Sequence, residues 1–118
     1  MATDLVDRLR GQLGGPRDGA LLRYSLGNAL LANGDAEAAA QALREALGFD
    51  PEYSAAWKML GKALEQSGDR GAAMTAFRDG IAIAQARGDK QAEKEMRVFL
   101  RRLERTDQPS SGRPDRVG

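Results

Sequence analysis

The sequence predicts an all-α solenoid of antiparallel helix pairs closed by a C-terminal capping helix, and three observations predict it. The chain matches itself at an offset of 34 residues. Within each copy the apolar residues recur at helical spacing and are interrupted by Gly-Asp pairs. Beyond the second copy lies a stretch with one apolar and one charged face. A terminal helix needs that pattern when no further neighbour covers it.

The offset is read residue by residue. Leu26-Gly27 falls on Leu60-Gly61, Ala29-Leu30 on Ala63-Leu64 and Gly34-Asp35 on Gly68-Asp69. Ala38-Ala39 falls on Ala72-Ala73, Ala42 on Ala76, Leu43 on Phe77 and Arg44 on Arg78. Such agreement at one offset marks two tandem copies, about residues 20–53 and 54–87, in a domain spanning 18–105.

Each element follows from local chemistry. In the N-terminal segment, residues 1–17, Leu5, Val6 and Leu9 suggest a short helix ended by Gly14-Gly15-Pro16. The first copy opens with Leu22, Leu26, Ala29 and Leu30 on one helical face. Gly34 stops that helix and Asp35 caps the next, since glycine accepts the left-handed terminal residue and aspartate offers an N-cap oxygen. The second helix carries Ala39, Leu43, Ala46 and Leu47 and ends near Gly48; Asp50-Pro51 then opens the third. Trp57, Leu60 and Leu64 form its stripe until Gly68-Asp69 repeats the turn. The fourth helix runs from about Arg70 to Arg87, buries Ala73, Phe77 and Ile81, and stops at Gly88. The cap helix, about 89–105, has Ala92, Met96, Phe99, Leu100 and Leu103 on its apolar face. Lys90, Glu93, Lys94, Arg97, Arg101 and Glu104 cover the rest. Residues 106–118 lack apolar periodicity and are expected to form a disordered tail.

Composition narrows the function classes. The 118 residues hold 18 Lys and Arg against 17 Asp and Glu, with no histidine and no cysteine. Near-neutral charge argues against a nucleic-acid or membrane-surface protein. Without cysteine and histidine there is no disulfide, thiol nucleophile, imidazole base or ordinary zinc site. The carboxylate pairs Glu93-Glu95 and Asp4-Asp7 read as surface charges rather than an acid/base pair. The glycines sit at helix ends and helix contacts, not in a phosphate loop after a strand. No catalytic activity, metal or cofactor is expected. Asp4, Asp7, Arg8 and Arg10 interrupt any apolar run at the N-terminus, so a cytoplasmic location is expected.

These residues resemble the tetratricopeptide repeat (TPR) family, in its small two-repeat bacterial type. The resemblance rests on the 34-residue period, Leu26-Gly27 and Leu60-Gly61, small Ala39 and Ala73, large Leu43 and Phe77, Ala46, and Asp50-Pro51. Trp57 stands where the family often has its tryptophan. The chain also departs from the pattern. Arg23 takes the place of Trp57 in the first copy, whose outward end is therefore expected to be less buried. Gly80 stands where Ala46 lies, and the second copy lacks a proline boundary, so its second helix is expected to run longer. Two full repeats are fewer than the three commonly needed for a full peptide groove.

The resemblance implies a non-catalytic protein-interaction module, an adaptor or scaffold, that binds a peptide or protein segment on its concave face. Carried over position by position, it points to Leu21, Tyr24, Asn28 and Leu31 in the first copy. In the second it points to Ala55, Lys58, Lys62 and Glu65, with Met59 alongside. Lys58 and Lys62 are four apart on one helix face and suit a partner with an apolar anchor and an acidic group. A clamp for a peptide's C-terminal carboxylate is not expected. Only Asn28 matches it, with Tyr24 at the first lysine position and Met59 at the second asparagine position. Arg97, Arg101 and Arg105 form a stripe on the cap helix, but Glu93, Glu95 and Glu104 interrupt it and no aromatics interleave. Met59, Met74 and Met96 read as core fillers. Leu5, Val6 and Leu9 either occupy the groove or stack on the open end of the first repeat. The alternative function is a self-associating or assembly subunit that uses the apolar solenoid ends; a monomer is the preferred expectation.

Overall fold

The computed structural model describes residues 2–107. Among them are six α-helices and no strand: α1 Ala2–Arg10, α2 Ala20–Ala32, α3 Ala36–Phe49, α4 Ser54–Gln66, α5 Arg70–Arg87 and α6 Lys90–Asp107. Each helix packs on its predecessor, and α4 also touches α2 and α6. The chain thus stacks as a solenoid, with α2, α4 and α6 side by side as one layer and α3 and α5 as the other.

One turn chemistry is used three times. Gly34, Gly68 and Gly88 have φ of 83°, 93° and 77°, the left-handed region that glycine enters without a Cβ penalty. The aspartate that follows then serves two helices at once. Its N–H donates back to the helix just ended: Asp35 to the Leu30 carbonyl at 2.9 Å, Asp69 to Leu64 at 3.0 Å, Asp89 to Ala84 at 2.8 Å. Its carboxylate accepts from the helix just begun: Asp35 from the Ala38 N–H at 3.4 Å, Asp69 from Ala72 at 3.1 Å, Asp89 from Ala92 at 3.2 Å.

Close helix approach comes from the paired glycines. A Cβ on Gly27 would lie 2.6 Å from Leu43 Cγ, and one on Gly61 would overlap the Phe77 ring. Both large side chains are fully buried, as are Ala39, Ala46, Ala73 and Met96. Gly80 replaces the alanine of the first copy because Met96 and Trp57 converge there. An added Cβ would lie 2.6 Å from Met96 Sδ and 2.6 Å from Trp57 Cβ. As anticipated, α5 is the longer second helix, with 18 residues against 14 in α3.

The structure also revises details. The Arg23 position is not left open: its side chain is 19% exposed and bridges Asp18 and Glu45, each at 2.7 Å. The last helix continues through Thr106 and Asp107, so only residues 108–118 of the expected tail remain, and they lie outside the described residues. Helix α1 packs on α2 alone, with Val6 buried in the shared core and Leu9 and Leu13 against it. It therefore stacks on the end of the first repeat and stays clear of α4 and α6.

Candidate partner-binding surface

The face formed by α2, α4 and α6 is built from side chains that repeat packing leaves over. In a helix with a narrow apolar stripe, the positions flanking it point into the space between neighbouring leading helices. Tyr24 on α2 stacks on Tyr53, which immediately precedes α4, with ring centroids 4.8 Å apart and planes tilted by 37°. Burial, Tyr24 and Asp50 together push the Tyr53 phenol above its usual range. Three residues before Tyr24, Leu21 is 69% exposed. Asn28 is half-buried, and its Oδ1 has no hydrogen-bond partner among the described residues.

Lys58 and Lys62 are present on this face, but not as a free basic pair. Lys58 Nζ holds Glu95 Oε1 of α6 at 2.6 Å. Gln91 steadies the same carboxylate at 2.7 Å. The Lys58 hydrogen bond, with help from Gln91, lowers the Glu95 carboxyl below its ordinary range. Lys62 Nζ lies 5.3 Å from the centre of the Phe99 ring, and the Arg102 guanidinium carbon lies 5.8 Å from it. The basic character expected from Lys58 and Lys62 is therefore partly spent on holding α6 against α4.

Leu31 also departs from expectation. It is 9% exposed and belongs to the core, so it supports the face from beneath. Glu65 is exposed and lines a shallow cleft with Arg102 at the far edge of the same face. Ala55 and Met59 are half-buried beside Lys58. Sequence reasoning missed Tyr53, Glu95, Phe99 and Arg102. Treating the last helix as the leading helix of an incomplete third repeat would have found the latter three, which lie one helical turn apart along its groove side.

Two further carboxylates of α6 have structural partners. Glu93 pairs with Arg97 at 2.9 Å and Glu104 with Arg78 at 3.3 Å, so Glu93 and Glu95 serve separate cations. Among the described residues no group of His, Cys, Asp or Glu side chains has the arrangement to hold a metal ion. No described helix is long and apolar enough to cross a membrane.

Comparison with known proteins agrees with this architecture. The tetratricopeptide repeat family model matches residues 30–93, more than half of the chain. The TPR repeat-containing protein PA0015 of Pseudomonas aeruginosa is 50% identical over 101 residues, covering 86% of this chain and 96% of that protein. Protein BPP2914 of Bordetella parapertussis, known from a solution structure, superposes with a TM-score of 0.81 at 45% identity. The match covers 95% of this chain and 97% of that one. The Sgt2 TPR domain of Aspergillus fumigatus shares the fold, with a TM-score of 0.73 at 24% identity over 99% of this chain and 78% of that one. With its 34-residue period, glycine-mediated helix pairs and these relatives, the chain belongs to the tetratricopeptide repeat family.

Proposed function

We propose that this chain is a non-catalytic protein-interaction module that receives a peptide or protein segment on the face of α2, α4 and α6. The observation that carries the reading is the exposed Leu21 one turn from the Tyr24–Tyr53 ring pair, an apolar and aromatic platform on the inner layer. Anchors of this kind dominate interface energetics when a partner desolvates them. Asn28 lines the face with a half-buried side chain, and Lys58, Lys62 and Glu65 set charge preference along the rest of the face. An acidic group on the partner meets Lys62 directly and competes with Glu95 for Lys58. Capture in the cytoplasm by a monomeric chain completes this reading.

The assembly alternative needs apolar solenoid ends. One end carries α1, whose Val6 is buried against α2 and whose Leu5 is 41% exposed, and the other carries α6 with Lys90, Lys94, Arg97 and Arg101 around Val98. The charges that surround Val98 favour the groove reading over end-to-end association. Peptides selected from a random display library test it. Their amide-shift footprint is expected on Tyr24, Asn28, Lys58 and Lys62, and Tyr24→Ala with Lys62→Glu is expected to weaken binding about tenfold or more. A footprint on α3 and α5, or a dimer by light scattering, would overturn it.

A further inference from the structure

At the edge of the solenoid where α4 and α6 begin, the turns leading into those two helices border one cleft of about 330 Å³. Asp50, Tyr53, Ser54, Ala55, Arg87 and Asp89 line it. Two carboxylates thus stand against one guanidinium. Arg87 is held by its own bond, Nη1 to the Glu52 carbonyl at 2.9 Å. Asp50 accepts one backbone N–H, from Glu52 at 3.1 Å, and Asp89 accepts one from Ala92 at 3.2 Å. Neither carboxylate makes an ion pair among the described residues, so each keeps acceptor capacity. Ser54 adds an independent observation. Only 6% exposed, it is the buried polar side chain of the described core, and its Oγ has no hydrogen-bond partner there. Folded proteins retain few such hydroxyls, and each one asks for an explanation.

The surplus acceptors suit a ligand that is cationic and rich in donors. Tyr53 links the cleft to the groove, because its ring also stacks on Tyr24. We propose that the cleft receives the Lys or Arg side chain of a partner segment whose neighbouring apolar residue rests on Leu21, Tyr24 and Tyr53. The cationic head donates to Asp50, Asp89 and Ser54 Oγ, and its methylene stem lies along the Tyr53 ring. This rests on the groove reading above and sharpens it: the preferred motif is an aromatic or aliphatic residue beside a basic one.

Two probes test the site on the full chain. The first is a set of dodecapeptides selected from a random library. The second is the capped dipeptide acetyl-Tyr-Lys-amide, with acetyl-Tyr-Glu-amide as control, followed by amide chemical shifts. Selected peptides are expected to carry Lys or Arg beside an aromatic or aliphatic residue. Their Kd should rise about tenfold in the Asp50→Asn, Asp89→Asn double variant, which keeps both side-chain oxygens for the backbone N–H groups. The lysine dipeptide should shift the Ser54, Ala55 and Asp89 amides saturably, and the glutamate dipeptide should not. Selected peptides that shift Tyr24 and Lys62 but bind the double variant unchanged would overturn the cation site and leave the groove reading intact. Peptides that footprint only on α3 and α5 would overturn the groove reading. A lysine dipeptide without a saturable shift at Ser54 overturns the cation site on the unmodified chain, whatever the double variant does.

Discussion

The two repeats solve one problem with different chemistry. Each must fix the start of its leading helix to the segment that precedes it. In the second repeat Trp57 does so, packing over Gly80 and donating its indole N–H to the Pro51 carbonyl at 2.8 Å. In the first repeat Arg23 stands at the equivalent position, and its Nε and Nη2 grip Asp18 at 2.8 and 2.7 Å while Nη1 reaches Glu45 at 2.7 Å. Both side chains tie back to a residue five or six positions earlier. The repeat thus requires an anchor at this position, and either burial or charge can supply it. The neighbours decide which: α6 brings Met96 onto Gly80, whereas the turn after α1 brings Asp18 to Arg23.

Core truncation should separate the repeats most strongly. Phe77→Ala is expected to cost about 4 kcal/mol and Leu43→Ala about 3 kcal/mol in urea unfolding. Phe77 also contacts the Phe99 ring of α6 at a centroid distance of 5.6 Å, so its loss reaches beyond the α4–α5 pair into the next helix. Equal costs would mean that the terminal helix adds nothing to the second repeat.

Overpacking comes next. Gly80→Ala gives the second repeat the residue of the first, yet it should cost about 2 kcal/mol because Trp57 Cβ cannot move aside. The reverse exchange, Ala46→Gly, creates only a small void and adds backbone freedom, for about 1 kcal/mol. A neutral Gly80→Ala in a thermal melt would show that Trp57 and Met96 can repack.

The shared turns should respond alike and more weakly. Asp69→Ala and Asp35→Ala each remove an N-cap and are expected to cost about 1 kcal/mol. The shorter 3.1 Å bond at Asp69, against 3.4 Å at Asp35, predicts the larger loss in the second repeat.

The smallest effect is the most diagnostic of the Arg23 anchor. Hydrogen bonds from Arg23 and from the Gly14 N–H hold the Asp18 carboxyl well below its usual value of 3.8. The folded chain therefore keeps this charge to lower pH than the unfolded chain does. The resulting stability is present above pH 4 and is lost as pH falls below that range. Asp18→Asn should flatten this part of the stability-versus-pH curve, and the uncharged anchor of the second repeat predicts no counterpart at Trp57. A curve unchanged by Asp18→Asn would remove the charge-based anchor from the comparison.

Much of the fold was legible because its signals are local. A glycine followed by an aspartate carries both halves of a helix-to-helix turn, and the 34-residue offset repeats that signal in register with the paired glycines. The candidate site was less legible because its chemistry is assembled over distance. Lys58 finds Glu95 37 positions away and Arg23 finds Glu45 22 positions away. The family resemblance points to Leu31 as a groove residue but does not register that the folded chain buries it.

By itself, then, the sequence determined the helices, their turns, their pairing and the family, since capping, glycine geometry and apolar period act within a few residues of chain. Tertiary structure alone decided which of the groove side chains remain available. Ion pairs, ring stacking and burial depend on which helices the stack brings within a few ångströms. In this chain that means α6 against α4, and the two turns that border the cleft lined by Asp50, Ser54 and Asp89.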